Sequence, residues 1–250
     1  MTDTDGEHED DYADLGATTR EAMNIAETSM EIVRQFVPDE TLADRIRQKS
    51  VHSMGDIEFQ HLLRLTGEDH LGDDEDAPVR AGARAVLEEA NIVTDITMSQ
   101  AGITSRGHDC DNHKAIGHGG ELAKETGITR TAAGVLELDG NSMYDGSIAT
   151  VGNAPTAAFA LADCIENGTR PAVIVATPVG FVKAEESRQR IREVSETYDI
   201  PAITNVGRRG GSGLAAALTN ELIHVAKDVR TGKLELDHTA DERRGDRRER

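Results

Sequence analysis

The sequence predicts an α/β fold in which helices cover both faces of a doubly wound, mostly parallel sheet. From about residue 90 onward, short apolar runs alternate with helical patterns, and each run is followed by glycine or proline. Because parallel strands need long crossover connections, this alternation indicates βαβ units. The chain has 250 residues and lacks an internal repeat or a long linker, so it is predicted to form one domain.

The N-terminal part is predicted to be helical, since its apolar residues recur at spacings of three and four. In the second helix Asp39 is the expected N-cap, and Gly55 marks the expected end. The predicted helices cover residues 18–37, 39–55 and 78–90, and the predicted strands cover 91–98, 147–152, 171–180 and 201–207.

Both ends of the chain are charged and poor in apolar residues, which predicts disorder. The acidic tail is residues 1–14, the charged C-terminal tail is residues 237–250, and the single domain spans 15–236. The C-terminal tail is expected to be solvated, with a basic arm that contacts RNA as the alternative.

The net charge of -19 argues against nucleic-acid binding, because a polyanion would be repelled. Of the 27 basic residues 21 are Arg, and Trp is absent. This composition is typical of a protein kept soluble in concentrated salt, so we expect a halophile's cytoplasm. The N-terminus does not resemble a signal peptide, and no apolar run is long enough to span a membrane. The two cysteines, Cys110 and Cys164, are expected to be reduced.

Three loops follow predicted strands, and ligands of doubly wound folds bind at the carboxyl ends of strands. The loop "GRRGGS" (207–212) combines glycines, two arginines and a helix start, which together favour an anionic group. The alternative is a tight turn whose arginines lie in solvent. The candidate ligand-binding residues in these loops are Asn153, Gly180, Phe181, Arg208, Gly210, Gly211 and Ser212.

The anion need not be a phosphate, because neither a P-loop nor a GxGxxG dinucleotide motif occurs. A ligand with carboxylates fits equally well, and Arg130 in "GITRTAA" could add a contact or simply be exposed in a first helical turn.

His108, Cys110, His113 and His118 are metal-ligand types within one glycine-rich stretch. Their spacing matches no common metal site, so the stretch is predicted to be a polar loop and no metal site is assigned. No GxSxG nucleophile elbow occurs either.

Several motifs resemble the precorrin-8X methylmutase family, which includes the cobalt-precorrin-8 methylmutases. They are "VHSMGD", "TDITM…AGI", "GITRTAA", "VGNAPTA", "TPVGFVKAEES" and "GRRGGSGLAAALTNEL", in the family's order. The resemblance covers about residues 20 to 225.

The resemblance implies a flavodoxin-like, three-layer α/β/α fold and a homodimer with its active site near the subunit interface. It implies an isomerase that moves a methyl group from ring carbon 11 to ring carbon 12 of the macrocycle, giving hydrogenobyrinate or cobyrinate. No external cofactor is implied, since any cobalt belongs to the anionic tetrapyrrole substrate.

The resemblance also assigns roles to individual residues. His52 falls on the catalytic histidine, and imidazole titrates in the range suited to protonating the macrocycle. Substrate-binding positions fall on Ser29, Thr104 and Arg130, while Lys49 stands where the family usually has arginine. Two other hypotheses stay open: a non-catalytic corrinoid carrier, and a flavodoxin-like module that binds a nucleotide or a metal.

Overall fold

A six-stranded sheet organises the computed structural model, which describes residues 19–66 and 74–236. The predicted tails, 1–14 and 237–250, and the first residues of the predicted domain, 15–18, lie outside the described residues. The strands are β1 (Leu63–Thr66), β2 (Ile92–Thr94), β3 (Asn112–Lys114), β4 (Ile148–Val151), β5 (Val173–Ala176) and β6 (Ala202–Asn205).

The strand order is β1-β6-β5-β4-β2-β3, with β1 antiparallel to β6 and the other pairs parallel. The helices are α1 (Arg20–Arg34), α2 (Leu42–Met54), α3 (Ala77–Leu87), α4 (Thr97–Gly102), α5 (Gly120–Thr126), α6 (Arg130–Gly140), α7 (Pro155–Glu166), α8 (Ala184–Tyr198) and α9 (Ser212–Arg230). A 3-10 helix, Ile57–Leu62, joins α2 to β1.

Strand side chains alternate between two apolar cores, as the two-residue period of a strand requires. Ile92 and Ile148 pack against α2, α3 and α9 on one face of the sheet. Val93 and Ala149 pack against α6, α7 and α8 on the other face. The predicted three-layer α/β/α fold with a mostly parallel sheet is therefore confirmed.

Several predicted elements extend beyond the observed ones, for example the strand predicted over 171–180, which covers only Val173–Ala176. The N-cap of α2 is Thr41 rather than Asp39, because Thr41 Oγ1 accepts from Asp44 N (3.0 Å) and Asp44 Oδ2 accepts from Thr41 N (3.0 Å). The strand predicted over 91–98 already ends at Thr94, and the chain then turns into α4. The predicted end of α2 is confirmed, since Gly55 adopts a left-handed conformation (φ 61°).

The edge strands were not predicted. β3 lies within the histidine-rich stretch that was expected to be a loop, and pairs in parallel with β2. β1 pairs with β6 from the other edge. No helix among residues 19–66 and 74–236 is long and apolar enough to cross a membrane.

Candidate active site

The three predicted ligand loops lie side by side, because they leave β4, β5 and β6, which are neighbours in the parallel part of the sheet. We call these loops, residues 152–154, 177–183 and 206–211, the rim. Their common position at the carboxyl ends of the strands is as the sequence predicted, and such an edge is where ligands of this fold class bind.

Glycines bring the rim loops into direct contact. Gly211 N donates to Thr177 O (2.7 Å), and Gly180 N donates to Arg208 O (3.2 Å). These two N–H groups therefore join the loops to each other. Gly210 has φ 149°, and a Cβ on it would lie 2.4 Å from Thr177 O. The close approach of the loops therefore requires glycine at that position.

Arg188, on α8, stabilises the rim through hydrogen bonds to two of its loops. Its fully buried guanidinium donates to Pro178 O (2.7 Å), Arg209 O (2.9 Å) and Asn205 Oδ1 (3.2 Å), and also to Gly207 O. Burial lowers its pKa to about 10. Sequence reasoning missed this residue, although its spacing from Ala184 and Ile191 marks the buried face of the helix.

Asp95, which follows β2, holds the rim from the side of β4. Its buried carboxylate accepts from Asn153 N (2.7 Å) and Ala154 N (2.9 Å) through Oδ2. Through Oδ1 it accepts from Ile96 N (2.9 Å) and Ser99 Oγ (2.8 Å). Sequence reasoning also missed Asp95. An acidic residue directly after an apolar strand was the feature of the sequence that could have indicated its role. The Asn153 side chain itself is exposed at the start of the loop.

The arginines of the last loop have different surroundings. Arg209 forms an ion pair with Asp56, and its guanidinium lies 5.5 Å from the centre of the Phe59 ring. Arg208 is exposed and lies 5.0 Å from the centre of the Phe181 ring, which is itself 85% exposed. Arg208 and Phe181 are thus brought together at the open side of the rim.

His52 lies in the last turn of α2, three residues before Gly55. Its ring is half-buried, and Nδ1 is 2.8 Å from Ser29 Oγ on α1. Burial, together with the positive charge of Lys49, lowers the pKa of His52. The structure therefore brings two of the predicted site residues, Ser29 and His52, into one hydrogen-bonded pair.

Ion pairs fix α2 against α9. Arg45 reaches Glu221 (2.7 Å) and Asp228 (2.6 Å), and Lys49 Nζ lies 3.6 Å from Glu221 Oε2. Arg45 contacts both acids, and Lys49, one turn later in α2, contacts Glu221, which is the earlier of the two acids in α9. Later residues of α2 thus lie near earlier residues of α9, so the two helices run antiparallel. His52, further along α2, is consequently carried toward the N-terminal end of α9, where that helix leaves the rim.

The remaining predicted site residues are more widely spread. Thr104 is half-buried after α4, and its N–H donates to Asn220 Oδ1 of α9 (2.9 Å). Ser212 is buried as the first residue of α9. Arg130 is exposed as the first residue of α6 and lies on the opposite face of the sheet from α2. Within a single chain, Arg130 is therefore separated from the Ser29–His52 pair by the sheet.

The histidine-rich stretch has structural contacts. His108 Nε2 donates to Thr104 O (2.6 Å), and Cys110 N donates to His108 Nδ1 (3.1 Å), so both ring nitrogens contact the backbone of this stretch. His118 Nδ1 lies 3.3 Å from Glu137 Oε1. Within the described part of the chain, no three His, Cys, Asp or Glu side chains group closely enough to hold a metal ion.

A cavity of about 470 Å³ opens along the outer face of α1 and includes Ser29. Its apolar wall is exposed, with Ile25 at 66% and Ile32 at 50%. The lining residues are Glu21, Asn24, Ile25, Thr28, Ser29 and Ile32.

A mostly parallel α/β sheet with an open rim at the carboxyl ends of its strands, together with a half-buried histidine on a covering helix, is the architecture of an α/β enzyme. The profile of the precorrin-8X methylmutase family matches residues 24–225, and the chain belongs to that family. The predicted isomerase activity in cobalamin biosynthesis is thereby confirmed.

Individual relatives agree with this assignment. The chain is 35% identical to the cobalt-precorrin-8 methylmutase of Methanocaldococcus jannaschii, over 86% of this chain and 99% of the relative. It is 36% identical to a cobalamin biosynthesis protein of Archaeoglobus fulgidus, matching 85% of this chain but only 42% of that longer relative. A crystal structure of the precorrin-8X methylmutase of Thermus thermophilus superposes with a TM-score of 0.70 at 30% identity, covering 82% of this chain and 98% of the other.

Proposed function

We propose that this protein moves a methyl group from ring carbon 11 to ring carbon 12 of precorrin-8X or of its cobalt form, giving hydrogenobyrinate or cobyrinate. Family membership supports the reaction class. The observation that carries the proposal is the Ser29–His52 pair, which sets a titratable ring at the end of α2 that approaches the rim.

His52 serves in this proposal as the proton donor. Its hydrogen bond with Ser29 uses Nδ1 and orients the ring, which leaves Nε2 as the nitrogen that can exchange a proton with a ligand. Because its pKa is lowered, the free ring is mainly neutral near pH 7. A bound polycarboxylate adds negative charge nearby and favours the imidazolium, so the donor forms where the substrate is bound.

The proton balance fits an isomerisation. Protonation of the macrocycle by His52 would withdraw electrons from the conjugated system and assist migration of the methyl group. Since substrate and product are isomers, the same number of protons must leave afterwards, either back to His52 or to solvent. Cobalt, where present, belongs to the substrate, and no external cofactor is proposed.

The rim supplies the anion-binding part of the proposed site. Arg208 offers an exposed guanidinium for a carboxylate arm, and the exposed Phe181 ring offers an apolar surface for a flat macrocycle. Further proposed substrate contacts are Lys49, Thr104, Arg130, Asn153, Gly180, Gly210, Gly211 and Ser212.

We also propose a cytoplasmic homodimer from a salt-rich cell. The exposed apolar side chains of Ile25, Ile32 and Phe36 on and after α1 support self-association near Ser29, because such a surface gains free energy when covered. The net charge of -19 supports the high-salt setting.

The test of the function is turnover followed by absorption spectroscopy, with precorrin-8X and cobalt-precorrin-8 as separate substrates in concentrated KCl. We expect conversion of at least one substrate by the wild type. His52→Ala should still bind the coloured product but should lose turnover by roughly 100-fold or more, the range of general acid catalysis.

His61→Ala is the matched control, because His61 is an exposed histidine of the 3-10 helix that follows α2. It should keep wild-type activity. If the wild type binds the product but converts neither substrate, the protein is a corrinoid carrier instead. If His52→Ala keeps full turnover, His52 has no role in the reaction.

A further inference from the structure

A group of charged side chains joins α2 to α9 about one helical turn before His52. The side chains of Lys49 and Glu221 are 8% and 9% exposed, and their charged atoms are 3.6 Å apart. Glu221 also accepts from Arg45 Nε (2.7 Å) and lies 3.4 Å from His224 Nδ1. Burial alone would raise the pKa of Glu221, but the charges of Arg45 and Lys49 hold it well below its usual range. Glu221 is thus a carboxylate at neutral pH.

Lys49 links this group to the catalytic histidine. It precedes His52 by three residues, so the two side chains share one face of α2. Charges act strongly on each other where water is scarce. Protonation of His52 would place a second cation beside Lys49, and the negative charge of Glu221 weakens this repulsion because it compensates the charge of Lys49.

We propose that Glu221 is a positioning residue for the methylmutase reaction, which balances the charge of Lys49 and so allows His52 to carry its proton. This inference rests on the proposed role of His52. It assigns Glu221 no contact with the substrate, since the carboxylate is buried between the two helices.

The other described groups near His52 have contacts of their own. From α1 the ring meets the neutral hydroxyl of Ser29. After the end of α2, Asp56 is already paired with Arg209 of the rim. From α9, the acid directed toward Lys49 is Glu221, with His224 at its other side.

The experiment combines NMR titration of His52 in the substrate-free protein with the pH profile of kcat. The chain has nine histidines, so the His52 signal is assigned by its loss in His52→Ala. In Glu221→Gln the charge of Lys49 is less compensated. The His52 titration should therefore move to lower pH, and the alkaline fall of kcat should move with it.

Lys49→Met tests a shift of the His52 titration in the opposite direction. Without the lysine cation, the His52 titration and the alkaline fall of kcat should both move to higher pH. Lys49→Met/Glu221→Gln removes both charges and should titrate between the two single variants. It also provides a folded variant if Glu221→Gln alone is too unstable to study.

Asp228→Asn is the matched control, because it removes the other carboxylate bound to Arg45 but lies seven residues, or about 10 Å of helix, further from the Lys49 pair. It should leave the His52 titration unchanged. A His52 titration that is equal in Glu221→Gln and wild type would overturn the proposal for Glu221. A shifted His52 titration with an unshifted kcat profile would instead overturn His52 as the proton donor. The experiment thus distinguishes failure of the proposal for Glu221 from failure of the proposed role of His52.

Discussion

Arg188 connects backbone carbonyls from two loops that are far apart in the chain, Pro178 on one side and Gly207 and Arg209 on the other. A guanidinium suits this position because its several N–H donors lie in one rigid plane. The proposed site residues Arg208 and Phe181 are exposed, so the placement of their loops depends on buried neighbours such as Arg188.

We therefore predict that Arg188→Met destabilises the fold by about 3 kcal/mol or more, because three backbone carbonyls and the buried Asn205 Oδ1 lose their donor at once. The free energy of unfolding in urea measures the loss. Arg190→Met is the matched control on the same helix. Arg190 pairs with Glu166 (2.5 Å) at the surface, so its removal should cost about 1 kcal/mol or less. Equal losses in the two variants would contradict the buried role of Arg188.

At the scale of elements, the sequence predicted the four central strands but neither edge strand. Ile148–Val151 and Val173–Ala176 are apolar throughout or nearly so, because both faces of a central parallel strand are covered. Asn112–Lys114 is polar and three residues long, and Leu63–Thr66 is interrupted by Arg64. Short, polar strands are typical of sheet edges, and they lack the pattern on which the prediction relies.

The residues of the candidate site likewise divide into those that the sequence predicted and those that it did not. Rim residues and His52 could be found from local motifs and from the family resemblance. The ion pair of Lys49 with Glu221 could not, since it depends on how α2 and α9 lie against each other. The roles of Arg188 and Asp95 depend likewise on loops that only the folded sheet brings together.

A further prediction compares Gly210, in the β6–α9 loop, with Gly213, in the first turn of α9. Gly210→Ala should destabilise the protein by about 1–3 kcal/mol, because φ 149° is strained for alanine and the new Cβ would lie 2.4 Å from Thr177 O. Gly213→Ala is the control, since a Cβ there meets no atom within 4 Å and the residue lies in α9. It should be neutral or stabilising by up to about 1 kcal/mol.

Thermal unfolding of both variants, followed by circular dichroism, measures this difference. For a chain of this size each 1 kcal/mol corresponds to about 2–4 °C in Tm. A Gly210→Ala protein as stable as Gly213→Ala would show that the rim tolerates a side chain between its loops.

At the scale of the whole molecule, the dominant property is charge. The chain has 46 acidic and 27 basic residues, and the resulting net charge of -19 opposes compaction. Salt weakens this repulsion, because the Debye length falls from about 10 Å at 0.1 M to about 3 Å at 1 M. Buried pairs such as Arg45–Glu221 are screened far less, so salt should stabilise the fold overall.

We predict that Tm rises by about 4 °C or more between 0.1 M and 2 M KCl, corresponding to a gain of about 1–2 kcal/mol in the free energy of unfolding. Salt can also act by strengthening apolar burial. The triple variant Glu125→Gln/Asp163→Asn/Glu196→Gln separates the two effects, because it removes three exposed charges and changes the net charge from -19 to -16. If screening dominates, this variant should gain less from KCl than the wild type does. An equal gain in both proteins would attribute the salt effect to apolar burial, and a Tm independent of KCl would contradict a high-salt adaptation altogether.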